Sequence, residues 1–356
     1  MDAKTNAIKR RQFLGGSGIT GAATLLLSAF ADLSAKEPGE LASEKFRILS
    51  LDGGGARGYL SAAILANVEV YLDRISGKSI PLGRRFDLIA GTSTGGIIAL
   101  GLATGRTAKE IRGFYEDIIP TVFSDTEKAG FLSRLRNPKY RTSKLATAVD
   151  TFFGNATLKD VLTDVCITAV ALDSGRPRFH KSDYRATYQA RLDEKLADIA
   201  IATSAAPTYF PAHDLKHSRH LIDGGVCANN PSMVAVVEAV QFDRESKRGT
   251  KPVKNIATEV ILLSVGTGEQ PSMPYDSEGL ATAGLIQWAE HISDVMFQSQ
   301  SDVAHFQTSF LLGENYLRLN PKLPFAMPLD DATSMEKLRN LSDIERVEEP
   351  FFKKIL

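Results

Sequence analysis

The apolar positions of this chain alternate between two rhythms. Continuous apolar runs recur at FRILSLD (46–52), RFDLIAGTS (85–93), VCITAVALD (165–173), HLIDGG (220–225) and TEVILLSVGTG (258–268). Runs of this kind predict buried strands. Between them the apolar residues move to helical spacing. YLSAAILANVEVYLDRIS carries Leu60, Ile64, Val68 and Leu72 on one face. Further helices are predicted for TGGIIALGLATG, for AKEIRGFYEDIIPTVF up to Pro120, and for LATAVDTFFG up to Gly154. KLADIAIATSAAPTYFPA reads as helical until Pro207, and SMVAVVEAVQF as a helix throughout. RPRFHKS continues into an edge strand. Beyond residue 268 the pattern is mostly helical, with a loop across LNPKLPFAMP. Alternating helices and continuously apolar strands imply a mostly parallel sheet covered on both faces. One domain is expected over residues 45–356.

The first residues break this rhythm. Arg10 and Arg11 precede Gln12, Phe13 and Leu14, and no charge falls between Gly15 and Ala31. Ala29-Phe30-Ala31 fits an A-x-A cleavage site. Residues 1–31 thus resemble a twin-arginine export signal, with Lys9 where a serine or threonine usually precedes the arginines. This implies a bacterial protein exported folded to the periplasm or beyond, its mature chain starting near Asp32. A retained cytoplasmic tail is the alternative. Residues 32–44, polar and carrying Pro38-Gly39, read as a linker. The run is too short and too weakly apolar for a bilayer span, and no other stretch qualifies.

Charge narrows the function classes. Forty-two basic and 42 acidic side chains cancel among 356 residues, so no whole-surface field steers toward nucleic acid. Cys166 and Cys227 stand far apart without metal-ligand spacing, so no disulfide framework or zinc site is expected. His213, His217 and His220 cluster at a spacing that matches no standard metal site.

GTSTG (91–95) is a GxSxG pentapeptide between a predicted strand and a predicted helix. A sharp strand-to-helix turn exposes the serine oxygen and needs small flanking residues, which makes Ser93 the candidate nucleophile with Gly91 and Gly95 beside it. Ser93 needs a base. Asp223, at a strand end before Gly224 and Gly225, is the candidate, although Asp-Gly is also a common turn. DGGGARG (52–58) then supplies bare backbone: Gly53, Gly54 and Gly55 form a nest of amides for a tetrahedral oxyanion. A phosphate cradle fits less well. The segment lacks the Lys-Ser/Thr pair of a P-loop, and the acidic residue a dinucleotide fingerprint needs would be Asp73, inside a helix.

DGGGARG, GTSTG and DGG (223–225) in this order, with ATSAAPTYFPA, DGGVCANNPSMVAVVEA and LLSVGTG, resemble the patatin-like phospholipase family over roughly residues 46–270. The resemblance implies a three-layer α/β/α sandwich with a mostly parallel central sheet, and lipid acyl hydrolysis by a Ser–Asp dyad with no histidine, metal or cofactor. Carried over by motif, Ser93 is the nucleophile and Asp223 the base. Gly53, Gly54, Gly55 and Arg57 form the oxyanion hole, with Gly58 closing the first motif. Cys227 stands where a tryptophan is frequent. The implied partner is a membrane or micellar lipid met peripherally.

Other readings stay open. A Ser–His–Asp esterase would place its histidine after the acid, where His291 and His305 lie, both in helix-like segments. A cytosolic effector switched on by cyclic nucleotides and a binding protein with a dead site are two more. GFLSRLRNPKYRTSKL sets Phe131, Leu132 and Leu135 among Arg134, Arg136, Lys139, Arg141 and Lys144. That mixture suits an anionic lipid surface or a solvated connection packing its leucines inward.

Overall fold

The strands are β1 (Phe46–Leu51), β2 (Leu88–Gly91), β3 (Asp164–Ala171), β4 (Arg176–Lys181), β5 (His213–Leu215), β6 (Ser218–Asp223), β7 (Val260–Val265) and β8 (Tyr316–Leu319). The longer helices are α1 (Gly58–Ser76), α2 (Thr94–Ala103), α3 (Ala108–Val122), α4 (Ser143–Phe153), α5 (Leu196–Thr203), α6 (Ser232–Gln241) and α7 (Leu285–Leu312). The computed structural model describes residues 45–124, 137–272, 276–333, 335–342 and 349–356. The export signal (1–31) and the linker (32–44) lie outside the described residues. So do Phe131, Leu132, Arg134, Leu135 and Arg136 of the cationic segment. Glu44–Leu356 form one compact unit.

One sheet runs β5-β6-β3-β2-β1-β7-β8, with β4 on β3. Strands β3, β2, β1, β7 and β8 are parallel, whereas β4 and β6 run antiparallel to β3. Side chains alternate between the two faces. Leu49, Leu51, Ile89, Ile167, Ile261 and Leu263 point into a core shared with α1 to α5. Ile48, Leu88, Ala90, Cys166 and Leu262 are buried outside that core, on the face where α6 brings Ala235, Val236 and Ala239. The expected sandwich with a mostly parallel sheet is what forms.

Three local expectations differ. Helix α3 passes through Pro120 to Val122, because Ile118, Ile119 and Val122 are all buried in the core and that packing outweighs the lost backbone bond. Helix α5 stops at Thr203, four residues before Pro207, and the freed backbone of 203–205 binds the end of β6 instead. Strand β8 lies where a helical pattern was expected. It is only four residues long and half-buried, so it carries little periodic signal.

The topology brings two chain ends together. Both β2 and β6 pair with the edge of β3 opposite β4, and they meet head to head. Gly91 ends β2 opposite Ile167, and Asp223 ends β6 opposite Ala169. Two residues along β3 span about 7 Å. The turn after Gly91 therefore starts beside Asp223. Helix α2 then leaves so close to β1 that a Cβ on Gly95 would meet the carbonyl oxygens of Leu51 and Asp52 at 2.3 and 2.6 Å. Both obstacles are backbone and cannot swing aside. Gly95→Ala should lower stability by about 1–3 kcal/mol, the usual cost of forced overpacking, read as a lower urea midpoint at unchanged m-value.

Candidate active site

Ser93 sits at the tip of the turn between β2 and α2 with φ 54° and ψ −125°. A non-glycine residue at positive φ stores roughly 1–3 kcal/mol of strain, a device concentrated at functional sites. Its carbonyl accepts the amides of Gly96 and Ile97, 2.8 and 3.1 Å away. Its own N–H donates to Thr203 Oγ1 at 2.9 Å, and that hydroxyl donates onward to the Thr168 carbonyl at 2.6 Å. Thr203 also accepts the Gly224 amide on its carbonyl, and the Ala205 carbonyl accepts the Asp223 amide at 3.0 Å. The segment after α5 thus clamps both candidate residues from below.

Asp223 is fully buried and Ser93 is 7% exposed. Asp223 Oδ1 accepts the Gly225 amide at 2.7 Å. Burial pushes its carboxyl up to about 7, against the smaller pull of the Ser93 hydroxyl and the Gly225 amide. Among the described residues no cation contributes to that shift. Oδ2 is buried without a hydrogen bond of standard geometry. The Ser93 hydroxyl is thus close enough to stabilise the carboxylate, while the bond itself stays loose, as catalytic contacts often are before substrate binds.

The two residues open into one shared cavity. Ile97, Phe114, Ile118, Ile119, Val122, Phe123, Leu145 and Phe210 supply most of its wall. Gly54, Gly55 and Thr94 also line it, and among the described residues their amides make no hydrogen bond. Three free donors lining an apolar cavity, one of them in the first turn of α2, suit a developing oxyanion. Thr94 was not among the sequence candidates. The signal for it is its place directly after the serine at the first turn of a helix.

The oxyanion set expected from the sequence is thereby altered. The Gly53 amide is spent on the Asn229 carbonyl at 3.0 Å. The Arg57 amide bonds the Gly54 carbonyl, and its guanidinium turns away to the Met327 carbonyl at 3.0 Å, into a neighbouring polar cavity. Gly55 keeps its expected place. It has φ 58°, and a Cβ there would lie 2.2 Å from the Leu329 carbonyl oxygen. Asp52, at the root of this loop, is held by both Arg318 guanidinium nitrogens at 3.3 and 2.6 Å.

None of the histidines lines the cavity. His305 on α7 bonds the hydroxyl of Tyr316, the first residue of β8, at 3.0 Å. His213 and His217 face Asp198 and Asp193, and His180 is buried against Glu194. Among the described residues no cluster of three His, Cys, Asp or Glu could hold a metal. Of the cationic segment, Lys139 pairs with Asp330 at 2.5 Å and Lys144 reaches Ser124 at 3.2 Å. Among the described residues no helix is long and apolar enough to cross a membrane.

A family model described as patatin-like phospholipase matches residues 49–236. Patatin-like protein 4 of Arabidopsis thaliana is 34% identical over 331 residues, covering 83% of this chain and 82% of the relative. The cGAMP-activated phospholipase of Escherichia coli (strain TW11681) is 35% identical over 324 residues, covering 84% and 87%. The crystal structure of VipD from Legionella pneumophila overlays on 88% of this chain and 72% of its own, with a TM-score of 0.40 and 12% identity.

The raised Asp223 carboxyl has a stability consequence. A carboxyl that titrates higher when folded holds its proton more tightly in the native state. Stability then falls as pH rises from the ordinary 3.8 to about 7 and stays lower above. Asp223→Asn removes this titration. Its melting temperature should match wild type near pH 4 and exceed it at pH 8, by at most about 4 kcal/mol in stability.

Proposed function

The chain belongs to the patatin-like phospholipase family, hydrolases of lipid esters, and we propose that it works through a Ser93–Asp223 dyad and an acyl-enzyme. The observation that carries this reading is a buried carboxyl without a neutralising cation, opening together with a strained serine into one apolar cavity. The apolar wall suits a fatty-acyl chain, because burying it there removes hydrocarbon from water.

The sequence of steps follows from the groups present. Asp223 takes the Ser93 proton as Oγ attacks the ester carbonyl. The amides of Gly54, Gly55 and Thr94 receive the oxyanion. The C–O bond to the alcohol then breaks, and the alcohol leaves with the proton from Asp223. Water repeats the sequence in reverse roles and releases the fatty acid. A carboxyl near 7 is better matched to this proton traffic at neutral pH than one near 4. The substrate lipid is met peripherally at a membrane or micelle.

Fatty-acid release from mixed phospholipids and glycerolipids tests the dyad. Ser93→Ala and Asp223→Asn should each lower turnover by roughly 10³-fold or more, and a chelator should change nothing. Full activity in either variant contradicts the reading. We also infer export from Arg10, Arg11 and the Ala29-Phe30-Ala31 site. N-terminal sequencing of the native protein should find Asp32 first, and an intact N-terminus contradicts it.

A further inference from the structure

Among the described residues that line the acyl cavity, two buried side-chain atoms have no hydrogen-bond partner: Asp223 Oδ2 and Ser204 Oγ. The first belongs to the dyad. The second has no part in the steps above. A buried hydroxyl left unpaired is unfavourable, and alanine would avoid that penalty in the same space. The other polar side chains differ. Thr94 Oγ1 is bonded to the Tyr115 hydroxyl at 2.7 Å, and that hydroxyl bonds the Thr94 carbonyl at 2.8 Å.

Ser204 is 9% exposed and its backbone is fixed. Its amide bonds the Ile201 carbonyl at 3.1 Å, and its carbonyl accepts the Ala206 amide at 2.9 Å. Its two chain neighbours hold the dyad: Thr203 grips the Ser93 amide through its hydroxyl and the Gly224 amide through its carbonyl, and Ala205 grips the Asp223 amide. The Ser204 hydroxyl therefore sits on a fixed backbone and lines the same cavity as Ser93 and Asp223.

We propose that Ser204 is a further catalytic residue, which seats the hydrolytic water of the second half-reaction between its hydroxyl and Asp223 Oδ2. This rests on the dyad reading. A water needs at least two polar partners to stay in an apolar cavity; the three open amides are taken by the oxyanion, and among the described residues these two side-chain atoms remain without a partner. Once the alcohol has gone, one water O–H points at Asp223 and the other at Ser204 Oγ. A lone pair on the water oxygen then faces the ester carbon held on Ser93. The water oxygen bonds that carbon and its proton passes to Asp223. The carbon–Oγ bond to Ser93 breaks, and Oγ takes the proton back from Asp223. Attack by Ser93 on the incoming ester uses no water, so Ser204 matters for deacylation and not for acylation.

The test separates the two half-reactions with a p-nitrophenyl acyl ester. Release of p-nitrophenolate in the first turnover gives acylation, and the loss of acyl-Ser93 by mass spectrometry of quenched samples gives deacylation. Ser204→Ala should acylate as wild type, lose its acyl group roughly tenfold more slowly, and accumulate acyl-Ser93 at steady state. Its melting temperature should not fall, since an unpartnered hydroxyl is removed. Ser204→Thr, which keeps the oxygen, should deacylate as wild type. Unchanged deacylation in Ser204→Ala overturns the proposal, as does an equal loss in both half-reactions or slow deacylation in Ser204→Thr. A wild type that never carries an acyl group on Ser93 removes the dyad reading itself, and this proposal with it.

Discussion

The Asp223 carboxyl is buried where, among the described residues, no cation neutralises it, and the proposed site depends on that. An arginine or lysine beside it would hold the carboxyl ionised and lower its pull on the serine proton. Burial raises it to about 7, against the smaller pull of the Ser93 hydroxyl and the Gly225 amide. The fold creates this meeting with a single strand. Edge β3 takes β2 along its first half and the antiparallel β6 along its second, so that the ends of both strands face each other. Thr203 then locks the arrangement from beneath, its hydroxyl on Ser93 and its carbonyl on Gly224.

Such a site is costly in several small ways. Ser93 stores backbone strain, Asp223 is desolvated, and the Ser204 hydroxyl and the amides of Gly54, Gly55 and Thr94 go unpaired. Each is an unfavourable contribution of order 1 kcal/mol or more. The offset comes from elsewhere: a continuous apolar core beneath one sheet face, and a Gly-rich loop pinned at its root by the Asp52–Arg318 ion pair. The same groups that weaken the fold are those a transition state would satisfy. Binding of an oxyanion, a water and an acyl chain replaces what folding left open.

Much of this was legible in the chain. Continuously apolar strands gave the parallel part of the sheet, and GTSTG between a strand and a helix gave the nucleophile turn, because both are local patterns. Asp223 stood out as a candidate from its strand end and its glycines, and the structure buries it beside the Ser93 turn. What stayed hidden depends on long-range partners. The Gly53 amide looks free in the sequence, yet Asn229 folds back onto it. Arg57 belongs to the right motif, yet its guanidinium finds Met327 on the far side of the loop. Thr203 and Ala205 read as the tail of an apolar helix, yet their carbonyls accept the Gly224 and Asp223 amides. Strand β8 is too short to carry a period of its own, and Pro120 is overridden by the core face of α3.

The rate at which a fluorophosphonate modifies Ser93, followed as a function of pH, tests the central claim most directly. It reports the nucleophile and its base without lipid binding or product release. The account predicts a rate that rises with pH through a single ionisation near 7, and near-complete loss of modification in Asp223→Asn. A rate that persists in Asp223→Asn, or an ionisation that disappears when His291 or His305 is replaced, would contradict it.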